Sequence, residues 1–335
     1  MYLFVLKRFF YGVCALIGLS MLMFVFVRVM PGDPFGHALG EMATKEQAEK
    51  LKREMGFDQP VYVQYFRYVE GIFVRRQLGP SLVERRDVAE IISDKLAATL
   101  ELVFAASLIA IGLAVPLGVL SATHRNGVID HMSRLVALGG VSLPRFWVAL
   151  VVQLVLGHFL AILPITGRIA GTPPSQITGF YLIDSILTLD FRAFQDSFLH
   201  LIGPATVLSL GTLAIVTRLV RASMIDELSK DYALVSKATG ISEILINYKY
   251  VLRNAFSAAL TMIAFLVPLM IGGAFVVETV FAWPGIARFG VISILSNDFN
   301  GVVGVALVVG VAFVGMNMLV DLLYGVLDPR IRIGR

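Results

Sequence analysis

Residues 98–122 read ATLELVFAASLIAIGLAVPLGVLSA, with Glu101 as their one ionisable side chain. About 20 mostly apolar residues cross the ~30 Å hydrocarbon core of a bilayer at 1.5 Å of rise per residue. This stretch is therefore a membrane-spanning helix. Working outward from it, five more stretches meet the same test: Phe9–Val29, Leu135–Leu163, Leu199–Val220, Ala255–Phe281 and Val302–Leu327. The fourth is the weakest, because Pro204 and Gly211 interrupt it. The pattern predicts an all-α polytopic membrane protein with six transmembrane helices.

Composition agrees. Of 335 residues, 57% are hydrophobic and 16% charged, against roughly 25% charged in soluble domains. The mean hydropathy of +0.80 excludes a water-soluble globule and a disordered chain. Cys14 is the single cysteine, which excludes a disulfide-built fold. A net charge of +4 without a dense basic patch speaks against nucleic-acid binding. Lys7 and Arg8 before the first apolar stretch also fit a signal peptide, but the stretch outruns the ~7–15 residues of a signal h-region. Arg28, Met30, Pro31 and Asp33 follow it where a small-x-small cleavage site would stand. It reads as an uncleaved span.

Basic residues in short loops set orientation. Lys7, Arg8, Arg125, Arg134, Arg218, Arg221, Lys230, Lys237, Lys249, Arg253, Arg330, Arg332 and Arg335 fall on one side. Arg168, Arg192 and Arg288 fall on the other, with the long segment Met30–Ala97, whose charges count for little. Both termini are therefore expected in the cytoplasm. The resulting organisation is an N-terminal helix (1–30), an external segment (31–97), a five-helix core (98–327) containing a cytoplasmic loop (220–255), and a tail (328–335).

In the external segment, Ala43–Met55 reads as a short helix with Thr44 as N-cap. Val61–Val74 is rich in aromatics and reads either as an amphipathic cap on the membrane or other helices, or as a docking surface. Val220–Ala255 is the most informative polar stretch. Asp231 can cap a helix over Tyr232–Thr239, Gly240 sits where a left-handed residue would end it, and Ser242 can cap a second helix, Glu243–Asn254. Two short helices about a glycine make a projecting knob suited to docking a partner; a plain surface loop is the alternative.

Ionisable groups within spans are functional hypotheses. Glu101 near an outer helix end is explained by interfacial exposure. Glu278, Asp321, His158 and Gln153 suit interhelical hydrogen bonds, and Arg145 suits a pair with a carboxylate on a neighbouring helix. Gly272, Gly273, Gly301, Gly304, Gly310 and Gly315 suit close helix approach. The chain has no GxxxxGK[ST], HExxH, GxSxG or Cys/His cluster, so it carries no ATP-binding motif, metal site or catalytic residue of these kinds.

Several motifs in order resemble a known family. They are Pro31–Gly32–Asp33–Pro34, Ala98–Thr99–Leu100–Glu101–Leu102, Ser142–Leu143–Pro144 with Phe146–Trp147, and Val220–Arg221–Ala222–Ser223–Met224. Next come Asp231–Tyr232–Ala233, Lys237–Ala238–Thr239–Gly240 and Leu252–Arg253–Asn254–Ala255. Last are Val277–Glu278–Thr279, Trp283–Pro284–Gly285 and Leu327–Asp328–Pro329–Arg330. Nearly end to end, the chain resembles permease subunits of bacterial ABC importers of the dipeptide/oligopeptide/nickel type. It departs from the family's EAA loop at Leu234–Val235–Ser236, where the acidic-Ala-Ala start is degenerate, and at Tyr250, where histidine is common.

The resemblance implies a type I ABC importer permease fold in the bacterial inner membrane. It implies a homologous second permease, two cytoplasmic ATPase subunits that bind the ATP and magnesium, and a periplasmic or lipid-anchored binding protein. Asp231, Tyr232, Lys237, Ala238, Thr239, Gly240 and Ser242 would form the contact with an ATPase. Closure of the ATPase pair would move spans three to five as a rigid body. Peptides are the expected cargo; nickel chelates, glutathione, opines and oligosaccharides are carried elsewhere in the family. Two other classes compete: an ion-gradient-driven secondary transporter, expected to carry an inverted repeat around a midplane site, and a non-transporting membrane scaffold.

Overall fold

Long apolar runs become long helices, since a backbone in lipid must satisfy its own hydrogen bonds. A computed structural model describes residues 2–29, 49–50, 53 and 58–327, with side chains described for 6–26 and up to 318 within the first and last helices. Of the predicted Ala43–Met55 helix, residues 49, 50 and 53 are described, as helix; the rest of it and its cap, the Pro31–Pro34 motif and the tail lie outside the described residues, as does the side chain of Asp321.

The helices, in chain order, are α1 (Tyr2–Val29), α2 (Val61–Glu70), α3 (Val88–Thr123), α4 (Val128–Ser142) and α5 (Arg145–Phe159). They continue as α6 (Tyr181–Leu187), α7 (Phe191–Leu228), α8 (Asp231–Ala238), α9 (Glu243–Val280), α10 (Ile286–Leu295) and α11 (Phe299–Leu327). Five are long and apolar enough to span a membrane, or six when the bent pair α4–α5 counts as one.

That bend corrects one expectation. Leu135–Leu163 was predicted as a continuous span, but α4 and α5 meet at 110°. Pro144 lacks an N–H and forces its predecessor out of the helical region. Leu143 is accordingly extended, at φ −81° and ψ 134°. The opposite holds in α7, which runs unbroken for 38 residues through Pro204 and Gly211. Of its most apolar window, 67% is buried, so neighbouring helices surround the proline and hold the helix together.

The chain forms two compact units. The first comprises Met1–Thr99 and Pro284–Arg335. In it α1 packs on α11, with a Cβ at Gly12 falling 2.7 Å from Val314 and one at Gly310 overlapping Leu19. Gly304 abuts Val88 and Gly301 abuts Ser293, whereas Gly315 meets nothing within 4 Å. α2 rests on α1: Tyr65 Oη and Ser20 Oγ are 2.8 Å apart, and Phe24 stacks edge-on to the Tyr65 ring at 5.4 Å. One side of Val61–Val74 is therefore a cap on another helix, while Tyr62, Phe66 and Phe73 remain exposed. At the far end, Ser81 Oγ donates to the Asp298 carboxylate.

The second unit is Leu100–Trp283. Here α7 is central, packed against α9, α4, α6 and α5. Gly118 lets α3 approach α7 closely, since a Cβ there would lie 2.7 Å from Val220 and 3.0 Å from the Thr217 carbonyl. Gly118→Ala is expected to destabilise this contact by about 1–3 kcal/mol. The measurement is the unfolding midpoint in detergent; an unchanged midpoint would mean that α3 and α7 do not depend on this approach.

Two buried charge clusters bracket α3. At one end Arg168 donates to Glu101 through Nε at 3.0 Å and Nη2 at 2.5 Å. At the other, Arg221 donates to Asp130 through Nε at 2.6 Å and Nη2 at 2.8 Å, and Ser121 Oγ adds a bond of 2.6 Å. Glu101 and Ser121 are twenty residues apart on one helix, or about 30 Å, the thickness of the hydrocarbon layer. The clusters thus mark its two boundaries. Glu101 is only 6% exposed, so pairing with Arg168 replaces the expected interfacial exposure.

Candidate functional site

The polar stretch after α7 folds into one projecting turn. α7 ends at Leu228, and Lys230 occupies the N-cap of α8 at φ −80° and ψ 152°. Asp231 was expected as the cap. It stands one place later, in the first turn, where its charge favours the helix N-terminus. Lys230 and Tyr232 both bond Glu227, the latter through Oη at 2.6 Å, which ties α8 back to the end of α7. The Glu227 bond holds the Lys230 ammonium above the ordinary lysine range. Burial, then the same carboxylate, raises the Tyr232 phenol.

α8 closes as a Schellman motif. Gly240 has φ +80°, its N–H donates to the Lys237 carbonyl at 3.2 Å, and the Ile241 N–H donates to Ser236 at 3.2 Å. Ser242 takes the N-cap of the next helix, yet its side chain makes no capping bond; its carbonyl accepts from Ile246 N–H at 3.0 Å. The second short helix, Glu243–Asn254, does not exist as a separate element. It runs through a π-helical stretch, Ile246–Val251, straight into the span that ends at Val280. No glycine or proline between Glu243 and Asn254 provides a stop.

Of the seven predicted contact residues, Asp231, Lys237, Ala238, Thr239, Gly240 and Ser242 share the exposed surface of this turn. Tyr232 is turned partly inward as an anchor, beside the buried Ala233. Lys237 Nζ and Glu243 Oε1 are 3.1 Å apart across the glycine; so exposed a pair contributes at most about 1 kcal/mol. Sequence reading missed an apolar component. Leu234, Val235 and Ile244 are 57%, 60% and 75% exposed on the same knob. Their signal was three large aliphatic residues in a polar stretch beyond the membrane boundary, where burial in lipid does not account for them.

The other singled-out residues have structural partners or none. Gln153 Nε2 donates to the Ile165 and Val280 carbonyls at 2.8 and 3.0 Å, as an interhelical tie. His158 is exposed at the π-helical end of α5, against the Phe159 ring. Glu278 is fully buried in α9. Arg145 departs from expectation: among the described residues, no carboxylate pairs with it. Asp184, between the spans, accepts from the Ile177, Thr178 and Gly179 amides and the Thr178 hydroxyl. Burial pushes its carboxyl up, but those bonds outweigh it and hold the group below the usual range. No group of three His, Cys, Asp or Glu among the described residues is placed to hold a metal.

The family described as binding-protein-dependent transport system inner membrane component matches residues 114–333. The N-terminal part of such membrane components matches residues 1–103. The chain belongs to this family. Its similarity extends to a probable D,D-dipeptide transport system permease of Escherichia coli (strain K12), at 41% identity over 94% of this chain and 93% of the relative. It is 34% identical to the dipeptide transport system permease of the same organism over 98% of both chains. It is also similar to an oligopeptide transport system permease of Bacillus subtilis (strain 168), at 31% over 98% of both. As a binding-protein-dependent permease it is a multi-pass inner-membrane protein, and its apolar helices are the spans.

Proposed function

We propose that this permease is one of two homologous subunits that form the path of an ATP-driven importer of short peptides. The observation that carries the reading is the α8 turn: a rigid Schellman loop presenting Leu234, Val235 and Ile244 among charges beyond the membrane boundary. Exposed apolar groups ringed by polar ones are what a protein interface uses. The names of the relatives supply the peptide class.

In this reading both termini and the turn are cytoplasmic, residues 31–97 are external, and residues 98–327 are the transport core. Two ATPase subunits bind ATP and magnesium, and this chain is not itself an enzyme. A binding protein delivers the peptide from outside. Closure of the ATPase pair pushes on α8, and because α8 is tied to α7 through Glu227 and runs by one turn into α9, the push moves α7 and α9 together.

The test is reconstitution of both permeases and both ATPases in vesicles, with the binding protein and a radiolabelled dipeptide. Accumulation that requires ATP is expected. Uptake driven by an ion gradient without the ATPases would instead establish a secondary transporter, and no accumulation at all a scaffold.

A further inference from the structure

Arg145 sits at the break between α4 and α5, with its guanidinium over two glycines. Nη2 is 3.4 Å from where a Cβ at Gly211 of α7 would stand, and Cζ is 3.1 Å from the corresponding point at Gly273 of α9. Nη1 lies closer still to Gly273, so any side chain there would displace the guanidinium. The residue is exposed. Among the described residues no side chain or carbonyl pairs with its five N–H donors.

Its depth follows from α7. Gly211 lies ten residues before Arg221, or about 15 Å, half of the ~30 Å hydrocarbon thickness. A guanidinium at that depth faces a protein interior or a water-filled cavity, because lipid does not solvate it. The neighbouring face of α9 is exposed at Gly272 and, two turns on, at Thr279, and a Cβ at Gly272 would meet nothing within 4 Å. A fixed cation and the open backbone at Gly272 thus share one midplane surface.

We infer that Arg145 lines the translocation path and binds the carboxylate of the transported peptide by charge-assisted, bidentate hydrogen bonds. The inference rests on the peptide-importer reading. Gly211 and Gly273 leave the seat in which the guanidinium is held, and the planar fork presents two parallel N–H groups to a planar carboxylate. The site is a waypoint, so the contact has to release as readily as it forms.

The experiment uses the reconstituted complex, with Ala-Ala and its C-terminal amide as probes, each at a concentration saturating the binding protein. In Arg145→Gln, Ala-Ala uptake is expected to fall about tenfold or more, the loss typical of a hydrogen bond to a charged group. The preference for free acid over amide should disappear, while assembly and the stimulation of ATP hydrolysis by the binding protein persist. Arg145→Lys keeps the cation and is expected to retain most uptake and some preference for the acid. Unchanged Ala-Ala uptake in Arg145→Gln would overturn the inference. So would failure of this variant to assemble with the second permease, which would make the charge a subunit contact. Either result leaves ATP-driven uptake by the unaltered complex in place. Only absence of that uptake would count against the importer reading.

Discussion

Gly240→Val is expected to abolish coupled uptake, by at least about tenfold, while the chain still inserts and assembles. Gly240 has φ +80°. A β-branched residue there pays about 1–2 kcal/mol or more for the left-handed conformation, enough to shift a marginal turn to other geometries. A Cβ at this position meets nothing within 4 Å in this chain, so the cost is conformational, not a clash with the permease itself. Loss of the turn redirects Leu234 and Val235 relative to Ile244, and the proposed ATPase contact loses its shape. Hydrolysis by the ATPases should then proceed without following the binding protein. Gly240→Asn discriminates the cause, because asparagine tolerates the left-handed region. It should retain most uptake if the turn geometry matters, and fail with valine if only the bare backbone fits the partner. Normal binding-protein-dependent uptake by Gly240→Val would remove this turn as the coupling element.

What was readable in the sequence divides by range. The spans were readable because twenty apolar residues have few other solutions, and the end of α8 because Gly240 was placed where a left-handed residue closes a helix. The limits of the second short helix were not, since Leu252 continues the preceding turns without any local stop signal. The break at Pro144 was present in the sequence but outvoted by the apolar run on either side. Pro204 carried the same signal with the opposite outcome, because α7 is enclosed by its neighbours. Long-range pairs were invisible. Asp130 and Arg221 are 91 residues apart and Glu101 and Arg168 67 apart, and only the packing of helices brings them together. The Asp130 carboxylate in particular is fully buried and accepts from Arg221, Ser121 and the Asn126 amide, partners that no local pattern around residue 130 points to.

Arg168→Met is expected to cost about 3–5 kcal/mol of stability, the usual price of leaving one buried charge without its partner. Glu101 and Arg168 are both about 6% exposed. With the guanidinium gone, the Glu101 carboxylate keeps only the Leu182 amide, at 2.9 Å. The Gly179 carbonyl also loses its donor, the 2.8 Å bond from Arg168 Nη2. The guanidinium carbon further lies 3.7 Å from the Tyr181 ring centroid and 5.9 Å from that of Trp283, so methionine replaces part of the packing but none of the cation–π attraction. Glu101→Gln should cost less, since its amide oxygen still accepts from Leu182 and the Arg168 cation keeps Gly179 and the rings. The double variant removes both charges and should recover much of the loss seen in Arg168→Met, as buried ion pairs generally do when both partners are neutralised. Unfolding midpoints of the three variants in detergent give the coupling energy directly. A double variant no more stable than Arg168→Met would mean that the pair adds nothing beyond the arginine's own packing. Coupling of the expected size would establish that this pair fastens the connection between α5 and α6 to α3 at one boundary of the membrane. Uptake should then fall with stability, because that connection rides on α7 through α6, the helix the proposed coupling turn moves.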